Sequence, residues 1–443
     1  MRPFLLALAT LLITAPGLAD TTAFVNVNVI PMTSEKVIPA QTVVIEGGII
    51  TAIGDVDSVP VPEDAMLVDG TDRYLMPGLT EMHGHVTGTG DAEVRRLFNL
   101  FLANGVTTIR GMLGRSSHLQ LRKDIAAGRV LGPRLITSGP SFNGNSVSSA
   151  SQGARMVHEQ HAAGFDFLKI HPGLTRDEFE AIADAANELG IPFAGHVPVA
   201  VGLDVALDKG MATIDHLDGY MAALLPPNSD TSGGYGGFFD VMLADQVIEE
   251  RIDAVVAATV AAGTGNVPTE SLFEQLVNDV PPSDLESQAE MRHMPAATLR
   301  QWVNAKNETL GERGFDPLVA ARAIEIRREL ILALHEAGAL LLLGSDAPQI
   351  FNVPGFSLHH ELKFMVASGL TPFEALQIGT SAPARFFGID TGTVELGKIG
   401  DLVLLNASPL DDIDNSGRVH GVLAAGRWST AAELLNDLDQ STE

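Results

Sequence analysis

From Leu75 onward, short apolar runs alternate with longer stretches whose apolar residues recur every three or four positions. The runs suit buried strands, where neighbouring side chains point to opposite faces, and the stretches suit amphipathic helices. Thus "LMPGLTEMHGH" leads to "DAEVRRLFNLFLANG", "DFLKIHPG" to "TRDEFEAIADAANELG", and "ALLLLGSDAP" to "LHHELKFMVASG". Eight such βα units fit between residues 75 and 388, with "NVPTESLF" as the seventh strand, and many of the helices end in Gly just before the next strand. The pattern predicts an α/β fold, a (β/α)8 TIM barrel over 75–388.

Before and after this block the rhythm is β alone. "AFVNVNVI", "TVVIEGGIITAIG" and "AMLVDG" are separated by Gly, Pro and Asp turns, and "GTVELGKIGDLVLLNASPL" and "VHGVLAAGRW" follow the last helix. Residues 20–74 and 389–430 are therefore expected to pair into one small composite β-sandwich beside the barrel. The tail "AAELLNDLDQSTE" reads as a short helix or a frayed end. Residues 1–19 begin with Arg2, continue with an apolar core from Phe4 to Ile13 and end in small residues, as a cleaved secretory signal peptide does. A secreted or periplasmic location is expected, with no stable membrane insertion after cleavage, because no later run is both long and charge-free enough to span a bilayer.

Composition changes the picture in two ways. With no Cys, disulfides and thiolate metal ligands are excluded together. A net charge of -27, from 28 Lys+Arg against 55 Asp+Glu, argues against nucleic acid and anionic membranes as partners.

Unusual polar residues fall at the ends of the predicted strands. His83 and His85 close the first on one face; Lys169 lies in "DFLKIH", His196 in "FAGHVP", His216 in "TIDHLDG" and Asp346 in "LLLGSDAP". Each alone has an ordinary reading: an ion-paired lysine, a satisfied core histidine, a turn-capping aspartate. Together they sit at the C-terminal face where barrel enzymes gather their catalytic groups, and imidazole with carboxylate suits a divalent metal.

The order HxH, Lys, His, His, Asp, with flanks reading "GLTEMHGHV" and "GKIGDLVLLN", resembles the amidohydrolase superfamily. "DFLKIH", "GHVP", "IDHLDGY" and "GSDAP" resemble its imidazolonepropionase-like and prolidase-like branch, which includes secreted carboxypeptidases and ochratoxinase-like amidases. The resemblance covers nearly the whole chain after the leader. It implies a two-metal centre in which His83, His85 and Asp346 hold the more buried ion, His196 and His216 the more exposed one, and a carboxylated Lys169 bridges them. Zn2+ is the expected metal, since imidazole and carboxylate ligands with open positions suit catalytic zinc and export disfavours Fe(II).

The resemblance further implies a metal-dependent hydrolase that cleaves the amide C–N bond of N-acyl amino acids or dipeptide-like substrates through a bridging hydroxide, with Asp346 as general base and then acid. A lactonase, phosphotriesterase or cyclic amide hydrolase is the alternative with the same centre, and a non-catalytic metal-binding protein the last. The expected partner is a small molecule or short peptide, and a homo-oligomer is an open expectation. Tyr220, Arg110 and His171 are expected as substrate contacts. Two long segments, 221–240 and about 276–316, look like loops over the barrel mouth, with Arg292, His293 and Arg300 of the second available to a substrate carboxylate.

Overall fold

A computed structural model describes residues 21–88, 90–227, 229 and 238–440. The leader predicted over residues 1–19 lies outside the described residues. Among those described, no helix is long and apolar enough to cross a membrane.

The chain is a mixed α/β fold. At its start stand β1 (Thr21–Val29), β2 (Ile38–Glu46), β3 (Ile49–Asp55), β4 (Met66–Asp69) and β5 (Tyr74–Pro77). The parallel strands follow: β6 (Leu79–Gly84), β7 (Val106–Gly111), β8 (Arg134–Thr137), β9 (Leu168–Ile170), β10 (Phe193–Gly195), β11 (Thr213–Asp215) and β12 (Gly265–Val267). Last come β13 (Leu402–Leu405), β14 (Val419–Ala424) and β15 (Arg427–Thr430).

Strands from both chain ends share one sheet of order β15-β14-β13-β5-β1-β2-β3, with β4 paired to β1. The joint between the ends is the antiparallel pair β13–β5, in register Leu402↔Pro77 to Leu405↔Tyr74. Inward residues Phe24, Val43, Ile45, Leu75, Leu402, Leu404 and Leu423 form its core, and Phe24 meets Trp428 edge-on at 5.3 Å. Each such buried side chain contributes about 1.5–3 kcal/mol.

After Pro77 one residue, Gly78, separates this sheet from β6. The parallel strands form two ladders, β6-β7-β8 and β9-β10-β11-β12. Parallel bridges Ser138–Phe167 and Phe142–Ile170 link the first to the second. The eighth apolar run forms no ladder; it touches β12 through the Asn266–Leu341 bridge and β6 through Gly84–Ala347 and a 2.9 Å bond from Met82 N to Leu343 O. Gly344 permits that approach, since a Cβ there would lie 2.5 Å from Val267 Cγ1 and 2.8 Å from His83 N.

Helices pack their apolar faces on the strands, Phe98, Phe101, Phe179, Ile326, Leu330 and Leu362 joining Ile109, Leu168, Phe193 and Ile214 in one core. Their ends follow the sequence signals. Arg176–Leu189 starts with a Thr175/Glu178 capping box and ends at Gly190, φ 70°; Ala150–Ala163 ends at Gly164, φ 85°.

Two expectations change. "NVPTESLF" is a strand only over Gly265–Val267, and Glu270–Val277 is helical. Its first free amides, Glu270 N and Ser271 N, are capped at 3.0 and 2.7 Å by Glu361 from the helix Phe356–Ala367, a partner 90 residues away. The segment 276–316 is not an open loop. It carries the helices Pro282–Glu286 and Ala296–Gly311, and Leu285, Met291 and Trp302 form a core with Phe351 and Val353. Lys306 is buried there, donating to Gln275 O and to both oxygens of Asn278.

Burial pushes the Glu361 carboxyl up to about 8, against the two amides that favour its charge. The folded form therefore holds a proton that the unfolded chain releases near 4.5, so this group's stabilisation is complete below that value and is lost as pH rises through 8. Glu361→Gln removes the titration. Chemical denaturation of both proteins from pH 5 to 9 is expected to show wild type losing ground to the variant as pH rises; a constant gap refutes the assignment.

Candidate active site

The six residues singled out at strand ends converge at the C-terminal edge of the parallel strands. Ring centroids lie 5.4 Å apart for His83–His85, 4.6 Å for His83–His216 and 4.5 Å for His196–His216. His85 Nε2 is 2.6 Å from Asp346 Oδ1, with His83 Nε2 at 3.5 Å from the same oxygen and His216 Nε2 at 3.8 Å from Oδ2. One ligand atom from each of His83, His85 and Asp346 falls within 4.8 Å of the others, as a shared cation requires. Lys169 Nζ stands 3.5 Å from His83 Nε2. Gly195 makes room for it: with φ 123°, a Cβ there would meet Ile170 O at 2.5 Å and Lys169 Cδ at 2.9 Å.

What aims these side chains is a set of partners that sequence reading missed. His216 Nδ1 lies 2.8 Å from Thr269 Oγ1, whose own hydrogen goes to Pro268 O at 2.7 Å. The threonine oxygen must therefore accept from Nδ1–H, which leaves Nε2 as a lone pair, buried and without a hydrogen-bond partner among the described residues. His196 Nδ1 meets Asp218 Oδ2 at 2.7 Å, and His83 Nδ1 lies 2.8 Å from Asp215 Oδ2, off the line of a hydrogen bond. In all three rings Nδ1 faces a supporting oxygen, so Nε2 is the nitrogen left to the cluster, the arrangement that metal-ligating histidines adopt.

Burial drives the pKa of His83, His196 and His216 down, with Lys169 adding to the effect, so the rings are neutral and their lone pairs available. Burial also lowers Lys169 to about 8, though Asp215 and Asp346 resist. For Asp215 burial favours the neutral acid, but Arg110 and Lys169 outweigh it and hold the carboxyl below its usual range.

The backbone is held in an unfavourable form at the same points. His216, Leu217, Thr269 and Asp346 have φ of 64°, 53°, 52° and 60°, in the left-handed region. Arg327 clamps the first of these: it donates to His216 O at 2.7 Å and Pro268 O at 2.9 Å, pairs with Glu270 and lies over Phe273 at 4.1 Å. Glu81 does the same for the eighth run, accepting from His83 N and Ser345 N at 2.9 Å each and from Ser345 Oγ.

A cavity of about 970 Å³ opens on the cluster, lined by His83, His85, His171, His196 and Asp346 among others. Phe239 stacks on His216 at 4.7 Å and forms part of its floor. Of the expected substrate contacts, His171 reaches this cavity, stacked on His196 at 5.0 Å. Arg110 does not: fully buried, it donates to Met82 O, Thr213 and Asp215 and so serves the support of His83. Nor does Tyr220, whose hydroxyl is buried against Asn266 Oδ1 at 2.8 Å and Thr259 Oγ1 at 2.9 Å. Residues at strand ends point inward or outward by strict alternation, and the choice for Tyr220 depends on a helical turn, Tyr220–Ala223, that the sequence pattern does not reveal. His293 is likewise buried, stacked on Phe356 at 5.5 Å.

Asp215, Asp218 and Glu81 did carry a signal: all three lie within the quoted motifs "TIDHLDG" and "LTEMHGH". Thr269 lies within the quoted run "NVPTESLF", but its part and that of Arg327 are set by packing across 53 and 111 residues.

The sequence profile of the Amidohydrolase family matches residues 74–429. A relative named enamidase, from Eubacterium barkeri, is 24% identical over 409 residues, spanning 90% of this chain and 89% of that one. Among solved structures, a bottromycin amidohydrolase aligns with TM-score 0.70 at 24% identity over 95% of this chain and 91% of that chain. A Xaa-Pro dipeptidase with bound methionine in its active site aligns with TM-score 0.65 at 19% identity, covering 93% and 100%.

The Tyr220 placement is checked by Tyr220→Phe, which leaves Asn266 Oδ1 without the tyrosine donor in the interior. Stability is expected to fall by about 1–3 kcal/mol with KM little changed; a large rise in KM at unaltered stability would return Tyr220 to the substrate.

Proposed function

The chain belongs to the amidohydrolase family and is a hydrolase acting on carbon–nitrogen bonds, and from that premise we propose a metal-dependent amidase for N-acyl amino acids and dipeptide-like substrates. The observation that carries this reading is the buried Nε2 of His216, without a hydrogen-bond partner among the described residues and set among other neutral imidazoles. A lone pair so placed lacks only a cation, and donors from His83, His85 and Asp346 stand beside it.

The residues fit two Zn2+ ions. His83, His85 and Asp346 would hold one, His196 and His216 the other, and Lys169 would serve both once carboxylated. A free ammonium offers no lone pair and repels dications, so Lys169 must carry a carbamate to be a ligand; its lowered pKa favours the neutral amine that adds carbon dioxide. When bound, the metal supplies Lewis acidity toward the scissile carbonyl and brings water's pKa from 15.7 to about 7.

The chain's own residues do the rest. Asp346 accepts a proton from water as general base and returns it to the leaving nitrogen as general acid. Asp218 and Thr269 keep His196 and His216 in one tautomer throughout, and the Asp215 carboxylate stands beside Nδ1 of His83. His171 and Phe239 line the cavity where the acyl or amine portion would lie. We further read the parallel strands of residues 75–388 as a closed (β/α)8 barrel, with the bridges of the eighth run completing the circle, and residues 20–74 with 389–430 as a separate β unit.

Protein purified in bicarbonate with Zn2+ is expected to bind two equivalents by elemental analysis and to hydrolyse members of an N-acyl amino acid and dipeptide panel. Asp346→Asn is expected to lower kcat by about 10²–10⁴, and Lys169→Ala to reduce the metal bound. Fully metal-loaded protein that cleaves lactones or phosphotriesters while leaving every amide intact would overturn the substrate assignment. One equivalent of zinc unaffected by Lys169→Ala would overturn the two-ion centre.

A further inference from the structure

The cavity over the histidine cluster has two cations on its wall, Arg176 and Arg251. Arg176 is already committed: its Nε donates to Glu180 at 2.7 Å, one turn along the same helix, and its side chain is 60% exposed. Arg251 is half-buried and differs. Its Nε donates to Ala223 O at 3.2 Å, and among the described residues no carboxylate pairs with it. Among the described residues both terminal amino groups of the guanidinium are thus without a protein acceptor, although Asp204, Asp218 and Asp240 line the same cavity.

The contact with Ala223 also fixes where Arg251 stands. Ala223 ends the short helix Tyr220–Ala223, which follows His216 by four residues and is pinned from within by the Tyr220 hydroxyl. The guanidinium is therefore tethered to the strand end that carries His216. The same cavity is lined by Leu225, Leu243 and Val255, and a charge-assisted hydrogen bond strengthens where apolar groups exclude water. A guanidinium fork matches a carboxylate through two parallel N–H···O bonds.

We infer that Arg251 anchors a free carboxylate of the substrate, which makes the enzyme exo-acting: it hydrolyses N-acyl amino acids and dipeptides with an unblocked terminus. The inference rests on the amidase reading above. The balanced reaction adds one water, breaks the C–N bond and yields the acyl carboxylate and the protonated amine of the released amino acid.

The test uses metal-loaded enzyme and matched pairs, N-acetyl- and N-benzoyl-amino acids each alongside its C-terminal carboxamide. Wild type is expected to favour the acid in kcat/KM by about 10- to 100-fold, the range of a hydrogen bond to a charged group. Arg251→Met is expected to bring that ratio toward one, mainly through KM. Arg251→Lys restores part of it, and Arg176→Met keeps it. If Arg251→Met depresses acid and carboxamide equally, the residue only supports Ala223 and the anchor is refuted; so too if wild type shows no preference. Should no member of any pair turn over, calorimetric binding of the same compounds separates the two ideas. A preference for acids lost in Arg251→Met sustains the anchor while the amidase reading fails, and binding without preference, or none, refutes the anchor.

Discussion

Everything at this site depends on which nitrogen of each histidine carries its hydrogen. An imidazole can present either nitrogen, and only a fixed partner on one side guarantees a lone pair on the other. Thr269 decides the matter for His216, because its single hydrogen is already spent on Pro268. Asp218 and Asp215 supply oxygen to Nδ1 of His196 and His83. With those partners gone, the rings could rotate or invert their tautomers, and the lone pairs would no longer meet.

Such an arrangement is expensive to fold. Four residues at the site have positive φ, and left-handed backbone at non-glycine positions costs on the order of 1–3 kcal/mol each. Buried charge adds to that. The compensations lie in a shell of hydrogen bonds reaching far along the chain: Arg327 grips two carbonyls and Glu270, Glu81 sews His83 to Ser345, and Arg110 holds Asp215. One substitution of roles is instructive. Thr269 stands where a helix would ordinarily receive its N-cap, but its oxygen serves His216, so Glu361 caps the helix from elsewhere. The support of His216 has displaced a local structural role, and the carboxyl group of Glu361 fills the gap.

Much of this was legible in the sequence because it is local. The alternation of apolar runs and amphipathic stretches announces the βα units, and glycines such as Gly164 and Gly190 mark helix ends through a conformation few other residues tolerate. His83, His85, Lys169, His196, His216 and Asp346 stood out as polar residues closing apolar strands, and they do meet. What could not be read is whatever depends on distant packing. Tyr220 and Arg110 turned inward because Asn266, Thr259 and Asp215 wait there. The 276–316 segment looked like a loop because it is long and rich in Pro, Gly and charge, yet Leu285, Met291 and Trp302 suffice once Phe351 and Val353 complete the cluster.

The pairing of β5 with β13 bears on how the polypeptide leaves the ribosome. Tyr74–Pro77 is synthesised early, whereas its neighbour Leu402–Leu405 appears more than 320 residues later. At roughly 5–20 residues per second, that edge waits on the order of tens of seconds for its partner. Throughout this interval Leu75, which ends fully buried, belongs to an incomplete core. The first strands made are thus among the last to be finished, and an aggregation-prone edge must be shielded, by a chaperone or by the growing α/β segment, until the nascent chain is nearly whole.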